Sequence, residues 1–100
     1  MSAKPRAYRV SPRARQDLDG VWLYTFQTWS KEQADTYNRG LIDCFSDLAS
    51  EAKRGRALDN IHPGYKILAY RAHFVVYKET ARLITIIRVL HRRMNIAKHL

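Results

Sequence analysis

Arg71, Arg88, Arg92 and Arg93, with Tyr70, Tyr77 and His91, are the side chains of this 100-residue chain best suited to act on a phosphodiester. Cleaving RNA through its 2′-hydroxyl needs a base for that hydroxyl, a cation for the charge developing at phosphorus, and an acid for the leaving oxygen. All three kinds of group are present, but strand geometry argues against a tight trio built on Arg88 and His91. In a strand starting at Leu83, alternation puts Leu83, Thr85, Ile87, Val89 and His91 on one face and Ile84, Ile86, Arg88 and Leu90 on the other. Unless a bulge intervenes, Arg88 and His91 point apart. The plainer expectation is structural: His91 bonds a neighbour at a strand end, and Arg88 holds the C-terminal segment and needs a partner or water. No metal is expected, because Cys44 is the only cysteine and the four histidines lie at no metal-ligand spacing. Cys44 falls on a helical apolar face and reads as core.

The same cations can bind an anion by charge alone. The net charge of +9 is segregated: residues 1–15 hold five cations and no acid, residues 16–52 two cations and seven acids, and residues 53–100 eleven cations and two acids. Such an arrangement makes a directional field that attracts a polyanion or an acidic protein segment. A simple nucleic-acid-binding module is less favoured, since no helix is basic along one face and no glycine-rich phosphate loop or zinc motif is present. With 46% hydrophobic and 27% charged residues, the chain reads as one globular domain, 1–100. No apolar run approaches a bilayer's thickness. Lys4 and Arg6 are followed by Tyr8, Arg9 and Pro12 where a signal peptide would be apolar, so a cytoplasmic protein without membrane contact is expected.

The elements that must carry these residues follow from periodicity. Tyr8 to Ser11 is a short extended segment, and Ser11-Pro12 starts a helix. Leu18, Val21, Trp22, Thr25, Phe26 and Trp29 recur at helical spacing, and Ser30-Lys31-Glu32-Gln33 is a capping box opening a second helix. Ala34, Tyr37, Leu41, Cys44, Phe45 and Leu48 form its apolar face, and it should fade near Lys53 with Gly55 as its stop. Trp22, Trp29, Tyr37 and Phe45 are expected in the core or between the helices. A loop from Arg54 to Gly64 leads to strands at Tyr65–Tyr70, His73–Lys78 and Arg82–Leu90, the last central in the sheet. Met94 to Leu100 is one helical turn or a tail. The predicted order β-α-α-β-β-β is an α+β domain with a helical hairpin on one face of a small, mainly antiparallel sheet.

These residues resemble the RelE/ParE toxin superfamily, and in particular its ParE branch, over nearly the whole chain. Ala14-Arg15-Gln16-Asp17-Leu18-Asp19-Gly20-Val21-Trp22 is similar to the A-x-x-D-L-x-x-I/V-W pattern. Lys31-Glu32-Gln33-Ala34 with Tyr37, then Ile61, Gly64 and Tyr65, then His73-Phe74-Val75-Val76-Tyr77, follow in the family's order. The most specific stretch is Ile87-Arg88-Val89-Leu90-His91 with Met94-Asn95, where the family usually has aspartate in place of Asn95.

The resemblance implies the toxin of a type II toxin–antitoxin system, of the kind that serves plasmid stabilisation, neutralised by a ParD-like antitoxin in a hetero-oligomer. It implies an inhibitor rather than an enzyme, carrying no cofactor, acting on DNA gyrase (its A subunit, with bound DNA) and stalling the cleaved-DNA complex. The rival on the same scaffold is a ribosome-dependent mRNA endonuclease of the RelE branch. The charge map places target contacts at Lys53, Arg54, Arg56, Arg88, His91, Arg92 and Arg93. Antitoxin contacts are expected at Trp22, Trp29, Tyr37, Arg71 and Tyr77, on the strip the helices leave uncovered.

Overall fold

A computed structural model describes residues 6–100; Lys4, counted above, lies outside them. In chain order the elements are β1 (Ala7–Val10), α1 (Pro12–Thr28), α2 (Lys31–Ala49), β2 (Arg56–Ala57), β3 (Lys66–Tyr70), β4 (His73–Glu79) and β5 (Leu83–His91). A 3₁₀ turn, Ile96–His99, closes the chain. The sheet runs β1-β5-β4-β3-β2, with β1 parallel to β5 and every other pair antiparallel. The α+β class and helical hairpin are as expected; the two-residue strand β2 is an addition, cut from the anticipated 54–64 loop.

Both helices start at serine caps. Ser11 Oγ accepts from Ala14 N at 3.0 Å and also donates to Ile87 O at 2.9 Å, so one hydroxyl caps α1 and ties it to β5. Ser30 Oγ accepts from Gln33 N at 3.1 Å. The end of α2 differs from expectation. The helix stops at Ala49, and Glu51 rather than Gly55 takes the left-handed conformation, with φ 63°. Gly55 serves a close approach: an added Cβ would lie 2.5 Å from Ile67 O and 2.7 Å from Tyr77 Oη. Because the nearest obstacle is backbone, Gly55→Ala should destabilise the fold by about 1–3 kcal/mol in urea unfolding, as overpacking does.

Two cores form because the sheet is covered on both faces. Under the helices, Leu41, Phe45 and Leu48 pack on Val75, Tyr77, Ile84, Ile86 and Val89, with Cys44 buried beside them as expected. Burial pushes the Cys44 thiol pKa up. On the opposite face, Leu58, Ile67, Val76 and Leu90 are covered by Tyr65, Ile96 and Leu100 from the preceding loop and the C-terminal turn. This second layer is why β5 is apolar on both sides.

Strict alternation along β5 fails at one residue. Val76 pairs with Arg88 while Tyr77 pairs with Ile86, leaving Ile87 as the bulge. Ile84 and Ile86 therefore share the helix-facing side with Val89, not with Arg88 and Leu90. No bulge falls between Arg88 and His91, so these two still emerge on opposite faces.

Candidate functional site

The helical hairpin extends beyond the sheet, and the space beneath it is a groove. In α1 only Ala14 and Leu18 are buried. Trp29, expected in the core or between the helices, is 70% exposed, and Phe26 and Tyr24 on the same helix are 44% and 67% exposed. The helical spacing holds, but the sheet does not extend beneath the whole of α1. At 1.5 Å per residue, the second half of α1 rests on α2 alone. The groove has a volume of about 1090 Å³. Its walls are α1 (Val21, Tyr24) and α2 (Gln33, Tyr37), and its floor is the β3–β4 turn with Val89 and His91.

The floor is held by a hydrogen-bond chain. Tyr37 Oη lies 2.7 Å from His73 Nδ1 and accepts from Ala72 N at 3.1 Å. The same hydroxyl lies 3.5 Å from Tyr70 O, so Tyr37 ties α2 to both strands of the β3–β4 hairpin. Burial, then the neighbouring His91 ring 5.3 Å away, lowers the His73 pKa to about 4. Burial also raises the Tyr37 pKa. Tyr70 packs edge-on to Tyr37 and crosses α2 at Gly40, where an added Cβ would meet its hydroxyl at 1.8 Å.

A sign follows for pH. Because His73 is harder to protonate folded than unfolded, its contribution is complete above the unfolded value near 6.5 and is lost as pH falls toward 4. Stability should drop by on the order of 1–2 kcal/mol between about pH 7 and 5. His73→Gln should remove most of that dependence, as read by urea midpoints at each pH.

Asp17 is the hidden organiser of the site. Its carboxylate accepts from Arg88 Nε at 2.8 Å and Nη2 at 2.9 Å, and from Val89 N at 2.9 Å. Arg88 Nη1 donates to His99 O at 2.8 Å. One residue of α1 thus caps the β5 edge where β1 ends, and through Arg88 it reaches the C-terminal turn.

Several expected contact residues lie elsewhere. Arg88 is 8% exposed and committed to Asp17, so it is not available to a target. Tyr77 is 2% exposed, its hydroxyl taken by Gly55 N at 2.8 Å; it is a core residue, not an antitoxin contact. Trp22 bonds Asp35 Oδ1 at 2.9 Å, stacks on Phe26 and does not line the groove. Trp29, Tyr37 and Arg71 do line it. The basic target surface is split. Lys53 and Arg54 face Asp47 and Glu51, and with Arg56 they sit at the Glu79 end of β4. His91, Arg92 and Arg93 sit at the His73 end, about 20 Å away along the strand.

The geometry has counterparts among known proteins. Residues 8–96 match the family model described as the ParE toxin of the type II toxin–antitoxin system, parDE. The chain belongs to the ParE toxin family. It is 40% identical over 95 residues to Toxin ParE1 of Caulobacter vibrioides, covering 95% of this chain and 98% of that protein. It is 36% identical over 94 residues to Toxin ParE1 of Mycobacterium tuberculosis, covering 93% and 96%. Solved structures agree on the fold. A chain of the chromosomal ParDE toxin–antitoxin system from P. aeruginosa superposes with TM-score 0.74 at 17% identity, covering 86% of this chain and 95% of that one. One from the toxin–antitoxin complex RelBE2 of Mycobacterium tuberculosis gives 0.65 at 20%, covering 89% and 100%. Within the ParE family, then, the motif aspartate of α1 has a physical role in this chain: Asp17 neutralises Arg88. No described helix is long and apolar enough to cross a membrane, and the described residues hold no cluster of metal-ligating side chains.

Proposed function

We propose that this ParE-family toxin acts in the cytoplasm on DNA gyrase, stalls its cleaved-DNA complex without cleaving nucleic acid itself, and is neutralised by a ParD-like antitoxin. The observation that carries the antitoxin half is the open groove with Tyr24 and Trp29 exposed on its wall. Exposed aromatics concentrated on one concave surface mark a protein-binding site. An amphipathic segment laid along the groove would bury them and form a hetero-oligomer, as the ParDE system matched in fold is a toxin–antitoxin pair. Against a nuclease stands Arg88, whose guanidinium is committed to the Asp17 carboxylate. Membership of the ParE family and the basic end of the sheet support the gyrase half.

One experiment separates the readings. The protein is incubated with gyrase, ATP and supercoiled plasmid, and in parallel with translating ribosomes. Linear, protein-linked DNA is the expected product. Cut messenger RNA with normal gyrase turnover would replace this proposal with the endonuclease.

A further inference from the structure

No described helix is basic along one face, yet the fold builds a basic corner from two separate segments. Arg71 comes from the β3–β4 turn, and Arg92 and Arg93 follow β5. Arg92 N bonds Ala72 O at 2.9 Å, and Arg92 Nε donates to Arg71 O, so the two segments are tied by main chain and side chain together. The Arg92 guanidinium lies 4.9 Å over the Phe74 ring, and that of Arg71 lies 5.8 Å over Tyr70. Arg93 N bonds His91 Nδ1 at 3.1 Å. Among the described residues the ion pairs engage Arg6, Lys31, Lys53, Arg54, Lys66 and Arg88, and none of the corner arginines. Arg71 also adopts a left-handed backbone, φ 49°, which glycine or asparagine fills with less strain. Three exposed arginines thus share one end of the sheet, Arg71 over Tyr70 on the helix-facing side and Arg92 over Phe74 on the other, and none of them is paired with an acid among the described residues.

We infer that this corner binds the phosphate backbone of duplex DNA directly, without gyrase. Guanidinium forks match phosphate oxygens, and B-DNA presents its charges densely and continuously to a convex surface. An acidic peptide following the adjoining groove would instead meet Glu32 on its wall. The inference goes beyond the gyrase proposal, because it predicts an activity of the toxin alone.

The test is fluorescence anisotropy of a short labelled duplex with the purified toxin, titrated with salt. With about three phosphate contacts, affinity should fall roughly 40-fold between about 50 and 200 mM salt. Arg92→Glu/Arg93→Glu should weaken binding at least tenfold and flatten the logarithmic salt slope by about 2. Lys78→Glu/Arg82→Glu makes the same charge change at the far end of the sheet and should have little effect. Arg93→Glu alone, at a side chain with no bond in the described structure, checks the corner without disturbing the Arg92–Arg71 tie. Equal loss in both double variants would show that net charge alone is responsible and overturn the inference. So would displacement of the duplex by an equally charged polyglutamate as effectively as by unlabelled DNA, or no binding at the lower salt. Because gyrase is absent, this result can fail while gyrase stalling persists, and the reverse.

Discussion

Asp17→Ala is expected to cost about 3–5 kcal/mol of unfolding free energy, lowering the melting temperature by about 12 °C or more. The change leaves the Arg88 guanidinium, 8% exposed, without its carboxylate, and leaves Val89 N–H without its acceptor. Breaking one side of such a pair strands the other charge in a low-dielectric setting, which is costlier than never having built the pair. Arg88→Met should therefore be comparably damaging, and should also free the C-terminal turn, which loses its bond at His99 O. The double variant Asp17→Leu/Arg88→Met should be less destabilised than the sum of the two. Urea unfolding of the four proteins measures the coupling. Single variants that lose under 1 kcal/mol and combine additively would mean the pair is only a surface contact.

Trp29→Ala should leave stability nearly unchanged and weaken the antitoxin complex by roughly 30-fold or more. With 70% of Trp29 exposed, its truncation opens no cavity. Buried under a partner segment, however, a tryptophan at a groove wall carries about 2 kcal/mol or more of the binding energy, equivalent to that change in Kd. Calorimetric titration of a ParD-like antitoxin into the two proteins provides the comparison. Phe26→Ala is the internal reference, since Phe26 stacks on Trp22 and does not line the groove. If Phe26→Ala weakens binding as much as Trp29→Ala, the antitoxin docks on the outer side of the hairpin instead.

Local pattern made most of the architecture legible. Serine caps, 3.6-residue spacing and short β-branched runs placed both helices and four of the five strands. What escaped was set by long-range geometry. Strand β2 is two residues long and exists because β3 offers it an edge. Trp22, Phe26 and Trp29 share a spacing that a core helix would also show, so periodicity could not reveal where the sheet ends.

The contact residues divide along the same line. Arg88 reads in the sequence both as a structural arginine in need of a partner and as a target contact; its partner, Asp17, lies 71 positions earlier and no local rule connects them. Tyr77 looked available for recognition until Gly55 was seen to bring the main chain onto its hydroxyl. Lys53 and Arg93 belong to one run of positive charge in sequence, but β4 separates them by its full length.

Element type, family and the segregation of charge were all present in the linear order of residues, because each depends on neighbours a few positions apart. The groove, the Asp17–Arg88 pair and the basic corner arose only on folding. Each needs side chains from distant segments to meet at distances of a few ångströms, and those distances are set by the bulge at Ile87, the register of β4 and the overhang of the hairpin.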